Sequence, residues 1–327
     1  MKRYLTPAII VAVCSLAIGP LFSGFFGPEW RARWILAWAA NEYQNGHPED
    51  AEKAIERASA ISSELATDAE FWKLKFDLVF NKEKPSSATI AQLFDESVVQ
   101  ISKVPKALQA VIASYVGQLF HIHRENEMAV AIMETYYGPI SKRDPAENNG
   151  IAYFRSLAKK KLETALVEID AALIADGSAR EEFLDTKAWV LHGLSKDQEA
   201  LPFAEEAIKK LIAHQKKFNG VRSVDRLEFQ ALLFSDSAVK PEPTDPNKDD
   251  NNPTRTPKTT LATNRLDEIK RRFGYINPTD IDELARKIAA LRFHRACILD
   301  ELGRNDESDL DYAWLDGFGF TETDKLN

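Results

Sequence analysis

Apolar positions recur at three- and four-residue steps along most of the chain, and a thread of small residues runs among them. The stretch GHPEDAEKAIERASAI, residues 46–61, sets the pattern. Ala51, Ile55 and Ala58 share one face of a helix there, because seven residues are close to two turns. With Ala51 as a ruler, the small residue Ala39 stands twelve positions earlier and the turn between two helices falls at Gly46. The same frame on Ala129 finds Met133, Tyr136 and Gly117, and on Ala165 it finds Ile169, Ala172 and Tyr153. On Ala200 it finds Ala204, Ala207 and Ala188, and on Ser308 it finds Tyr312, Leu315 and Ala296, with Gly303 at the turn.

Close helix crossing explains these positions. A small residue midway along a first helix admits the second, small residues on the second make room for the next unit, and the apolar residue between them fills the seam. Ala129, Ala165 and Ala200 stand 36 and 35 residues apart, one helical hairpin per step. The frame resembles the tetratricopeptide repeat, best in ARWILAWAANEYQNGHPEDAEKAIERASAI, FLDTKAWVLHGLSKDQEALPFAEEAIKKL and LRFHRACILDELGRNDESDLDYAWL. That resemblance implies an all-α chain, a solenoid of hairpins of about 34 residues stacked as a right-handed superhelix. Tyr136, Tyr153 and Leu315 depart from it by being large where the family is small, and no proline closes the units. For Leu315 the expectation is a final unit with no following helix to accommodate. Between the Ala51 and Ala129 units, DAEFWKLKFDLVFN and SSATIAQLFDESVVQISK predict another hairpin on which the frame finds no place.

The repeats are expected over residues 30–215, followed by an additional helix over 216–234. Residues 235–264 hold five of the fifteen prolines and almost no large apolar residue, which predicts a disordered loop. C-terminal helices fill 265–327, with Gly274 ending the first, Thr279 as N-cap of a long one, and a closing repeat-like unit.

Ahead of the repeats, Lys2 and Arg3 are followed by a run without charge from Tyr4 to Pro28, long enough to cross a bilayer once. The expectation is a transmembrane anchor over 7–28, a short cytoplasmic tail over 1–6, and the repeats on the outer side of the cell membrane. Charge does not fix that orientation, since Lys2 and Arg3 are matched by Arg31 and Arg33; the shortness of the tail decides it. The competing reading is a signal peptide cleaved near Ser15-Leu16-Ala17, which leaves a soluble secreted or periplasmic module but also a greasy end, IGPLFSGFFG. Lipidation at Cys14 is disfavoured, because Val13 precedes it where a small residue is wanted. Trp30, Trp34 and Trp38 form one stripe: Trp30 is expected at the membrane surface, Trp34 and Trp38 in the core of the first helix.

A net charge of −8 argues against nucleic acid as a partner. The basic runs at Lys159-Lys160-Lys161 and Lys270-Arg271-Arg272 read as solvated helix surface. Two cysteines, Cys14 and Cys297, make no disulfide framework, and Cys297 reads as a small core residue. His121 and His123 are two apart and point to different sides of a helix, and the chain lacks H-E-x-x-H, C-x-x-C and phosphate-loop motifs. Glu205-Glu206, and Asp309 with Asp311, read as solvated helix faces. No catalytic, cofactor or metal residue is named. Families of this kind present their first helices along a concave groove to a protein or peptide, and the inward candidates here are mostly Ala, Leu, Trp and Phe, unlike the subclass that grips a C-terminal carboxylate. The expectation is a membrane-anchored interaction scaffold; an enzyme using an insertion over 216–288 is the other class weighed.

Overall fold

The computed structural model describes residues 27–81, 87–215, 229, 232–233, 265–274 and 276–320. Among these there are thirteen α-helices, two short 3-10 turns and no strand. The expected tail, nearly all of the expected anchor and the expected loop over 235–264 lie outside the described residues. Among the described residues, no helix is long and apolar enough to cross a membrane.

The chain divides into two compact units at Gly138. In the first, α1 (Pro28–Gln44) pairs with α2 (Pro48–Ile61), and the 3-10 turn Ser63–Thr67 leads to α3 (Ala69–Asn81). Then come α4 (Ser87–Ser102), α5 (Lys106–Ile122) and α6 (Asn126–Tyr136), the last two forming a second hairpin. α3 packs against α2, α4 and α5. The pair α3 and α4 escapes the small-residue frame because aromatic rings join it to α5: Phe80 and Phe94 close on Phe120 at 5.0 and 6.0 Å between ring centres.

The second unit begins with the 3-10 turn Ile140–Lys142. It continues through α7 (Pro145–Ala158), α8 (Leu162–Asp176), α9 (Glu181–Gly193), α10 (Asp197–Gln215), α11 (Arg265–Arg272), α12 (Pro278–Glu301) and α13 (Asn305–Gly317). α7 pairs with α8, α9 with α10, and α12 with α13. α9 also packs on both helices of the hairpin before it, as α12 does on α9 and α10. A capping box between Asp144 and Glu147 starts α7. Asn277, not Thr279, caps α12: its side chain accepts from the Thr279 amide, and Pro278 takes the first helical position, where a missing N–H costs nothing.

Four hairpins turn in the same way. A left-handed residue follows the first helix, Gly46, Arg124, Ser195 or Gly303, each five positions before the ruler. The next amide then bonds back across the helix end at 2.9 Å: His47 to the Glu42 carbonyl, Glu125 to Phe120, Lys196 to Leu191, Arg304 to Leu299. The α7–α8 turn departs by one residue. There the left-handed residues are Lys159 and Lys161, and the bond runs from the Lys160 amide to Arg155. Helix α7 therefore ends one position early relative to the ruler. The small residue brought into the seam is Ala152, fully buried in one apolar cluster with Ala165, Ile169 and Ala172, while Tyr153 lies beside it, part exposed. The lysine run 159–161 is thus exposed turn, not helix.

Candidate functional site

The frame residues lie where close crossing requires. Ala39, Ala51, Ala58, Ala129, Ala165, Ala172, Ala188, Ala200, Ala207 and Ala296 have no exposed surface. Gly46 and Gly303 take the left-handed turns. Gly117 is where a methyl group would meet Met133 Cε at 3.0 Å and the Ala129 carbonyl at 3.5 Å, so a first-helix position faces both the ruler and the residue four later. Ala172 shares its cluster with Phe183 and Val190 of α9, and Ala207 shares one with Leu284 and Ile288 of α12. The large residues have their own partners. Tyr136 donates from its hydroxyl to the Val98 carbonyl of α4 at 2.5 Å. Leu315 is buried with Phe229, Leu233, Ile269 and Phe273, and Trp314 Nε1 donates to the Leu233 carbonyl. The expectation of an uncovered last hairpin is therefore corrected: chain from beyond α10 packs on it. Phe229, Leu232 and Leu233 are helical, within the stretch expected to form an additional helix.

In the first unit the first helices line an open groove of 670 Å³. Helix α1 contributes Arg33, Leu36, Ala37, Ala40, Tyr43 and Gln44, a run at three- and four-residue steps that stays on one face. Glu70, Lys73, Leu74 and Asp77 do the same on α3, and Tyr115 reaches in from α5. The floor is apolar and small, while the walls are charged. Arg33 holds Asp68 and Glu29, each at 3.2 Å, and Lys73 pairs with Glu70 at 2.8 Å. Tyr115 donates to Asp77 Oδ1 at 2.5 Å. Burial raises the Asp77 carboxyl above its usual range, against the lowering effect of the Tyr115 hydroxyl. Burial, and then the Asp77 acceptor, push the Tyr115 phenol well above its ordinary value; Tyr43 is raised by burial and by Asp77. The groove thus carries two cations and three carboxylates over an alanine and leucine floor. This mixed, charged lining is unlike the mainly apolar one expected from the sequence.

Three expectations about single residues change. Trp34 and Trp38 are 63% and 39% exposed, not core, because Ala32, Leu36 and Ala39 form the packed face of α1. Asp309 is exposed as expected, but Asp311 is fully buried between Arg292 and Arg295 at 2.6–2.8 Å. Glu168 is likewise buried between Arg143 at 2.7 Å and Arg155 at 2.8 Å. Both carboxylates stand three positions after a ruler.

His121 Nδ1 pairs with Asn126 Oδ1 at 2.8 Å while the His123 ring stacks on Phe80, so the two imidazoles serve different neighbours. Burial pushes the Cys297 thiol up to about 11, which keeps it protonated at neutral pH. Lys270 and Arg272 pair with Asp282 and Glu268. Among the described residues, no group of three or more His, Cys, Asp or Glu side chains is placed to hold a metal ion. No protein-family model matches this chain, and comparison with curated proteins finds no match.

Proposed function

We propose that this protein is a non-enzymatic, membrane-anchored scaffold of tetratricopeptide type that holds a protein or peptide segment in the groove of its first helices. The observation that carries the reading is the groove between α1, α3 and α5, with a small apolar floor and charged walls on two helix faces. Such a surface suits an extended or helical segment: small side chains let the backbone approach, and Arg33, Lys73, Asp68 and Glu70 offer hydrogen bonds at its rim. The recurring hairpins, with Ala or Gly at the crossings, support a stacked solenoid wound in a right-handed superhelix.

Anchoring is part of the same proposal. The uncharged run from Tyr4 to Pro28 supplies a span over 7–28, with residues 1–6 in the cytoplasm and the repeats on the outer side of the membrane. Arg33 and Lys73 lie on the groove walls and not in the packed seams, so exchanging them for Gln removes their charge and spares the core. Pull-down of the full chain from gently solubilised membranes is expected to recover a protein partner, and Arg33→Gln/Lys73→Gln to lose it while the helical circular dichroism of the chain is kept. Recovery of the protein alone and monomeric under every solubilising condition overturns the proposal. N-terminal sequencing of the mature protein tests the anchor, since a start near Ile18 refutes it.

A further inference from the structure

The tryptophan stripe of α1 is exposed. Trp30, Trp34 and Trp38 are 46%, 63% and 39% exposed. At 100° per residue they fall within about 80° of one another, on the side of α1 opposite the packed Ala32, Leu36 and Ala39. Beside them a 390 Å³ crevice is lined by Arg31, Ile35 and, from α2, Arg57. Among the described residues neither Arg31 nor Arg57 pairs with a carboxylate, and both are exposed. The run without charge in the sequence ends at Pro28, two residues before Trp30.

We infer that α1 lies along the bilayer surface, with Trp30, Trp34 and Trp38 in the headgroup layer and Arg31 and Arg57 against anionic lipid phosphates. The inference rests on the anchored reading proposed above. Indole rings settle at the membrane-water boundary because one edge is apolar and the N–H wants a partner. Trp30 and Trp38 are about 12 Å apart along the axis at 1.5 Å per residue. The headgroup layer on each side of the hydrocarbon core is only about 5–8 Å deep. A helix leaving the membrane upright therefore seats at most two of the three rings in that layer, whereas a helix lying flat seats all of them. The unpaired guanidiniums at the edge of the stripe match phosphate in charge and in their planar fork of donors. The groove face of α1, Arg33 to Gln44, is turned about 120° from the tryptophans and opens away from the lipid.

The test uses the full chain reconstituted in phosphatidylcholine vesicles with and without phosphatidylglycerol, carrying lipid brominated near the headgroup end of the acyl chains. Bromine quenches only indoles at that depth. Trp34→Phe/Trp38→Phe changes exposed positions and is expected to remove about two-thirds of the bromine-sensitive emission, since two of three interfacial rings are lost. Arg31→Gln/Arg57→Gln is expected to bring quenching in the anionic vesicles down to the level in neutral ones. Equal quenching of the parent and the double-Phe variant overturns the inference and assigns the stripe to a protein partner. Resistance to alkaline carbonate extraction reads the anchor separately: a chain that resists extraction but shows equal quenching keeps its anchor and loses the flat orientation of α1. A chain that is extracted overturns the anchored reading and with it the inference.

Discussion

Replacing Glu168 by Gln tests the buried charges of the second unit most directly. The carboxylate has no exposed surface, accepts from Arg143 Nη1 at 2.7 Å and Arg155 Nε at 2.8 Å, and both arginine side chains are themselves under a tenth exposed. Glutamine keeps the shape but removes the charge and turns an amide N–H₂ toward a guanidinium. Arg155 then loses the carboxylate it is buried against, and removing one partner of a buried pair costs about 3–5 kcal/mol. For a unit of 189 residues, Pro139 to Asn327, that lowers the unfolding temperature by roughly 6–20 °C at about 2–4 °C per kcal/mol. Circular dichroism at the helix band, followed through heating of the full chain, reads the shift. Arg155→Leu/Glu168→Leu removes the Arg155–Glu168 pair and leaves Arg143 to its other neighbours; it is expected to recover part of the loss, because apolar packing replaces a desolvated pair at little cost. A shift below about 2 °C for Glu168→Gln, or a double variant worse than the single one, refutes the reasoning.

The hairpin turns and the groove give two further predictions. Ser195 sits left-handed at φ 58° where the equivalent Gly303 sits at 70°, so Ser195→Gly is expected to stabilise by about 0.5–1 kcal/mol and Gly303→Ala to destabilise by about 1 kcal/mol, both read by urea titration. Tyr115 has a folded pKa raised above its ordinary 10.0, so its contribution to stability is complete below that pH and is lost as pH climbs beyond it. Tyr115→Phe is expected to flatten the alkaline fall in stability and to remove one of the late-titrating components of phenolate absorbance, which Tyr153 and Tyr312 share; an unchanged alkaline profile contradicts the Tyr115–Asp77 bond.

The hairpins were legible in the sequence because close crossing leaves a mark that survives divergence: alanine or glycine at fixed spacing, seen at Ala51, Ala129, Ala165 and Ala200. The same mark hid the orientation of α1. Its packed face is Ala32, Leu36 and Ala39, which carries less apolar bulk than the three tryptophans opposite, so bulk pointed to the wrong side. Glu168 and Asp311 read as solvated because a lone carboxylate on a helix usually is. The signal that identifies them is positional: three residues after the ruler, Ala54 and Ile132 are buried and Phe203 is part-buried in the other three hairpins, so a carboxylate there needs a cation from the helix before it. The groove was not legible as a unit, since Arg33, Asp77 and Tyr115 meet only through the packing of α1, α3 and α5. The α3–α4 pair lacked a frame for a physical reason, since Phe80 and Phe94 both pack on Phe120 of α5 where the other hairpins cross on alanine or glycine.

The displaced turn between α7 and α8 has a meaning for how such a chain tolerates change in length. One added residue rotates a helix by about 100°, enough to carry a packed face out to solvent. Here the rotation is taken up at the connection, by two left-handed lysines, and α7 answers by offering its neighbouring alanine. The strain of about 1–2 kcal/mol per lysine is of the same order as the roughly 1–3 kcal/mol of forcing a tyrosine into a packed seam, and it is confined to the turn. Connections in this protein therefore act as expansion joints: a residue gained or lost there is absorbed locally, and the identity of the hairpin is carried by which faces meet, not by how many residues separate them.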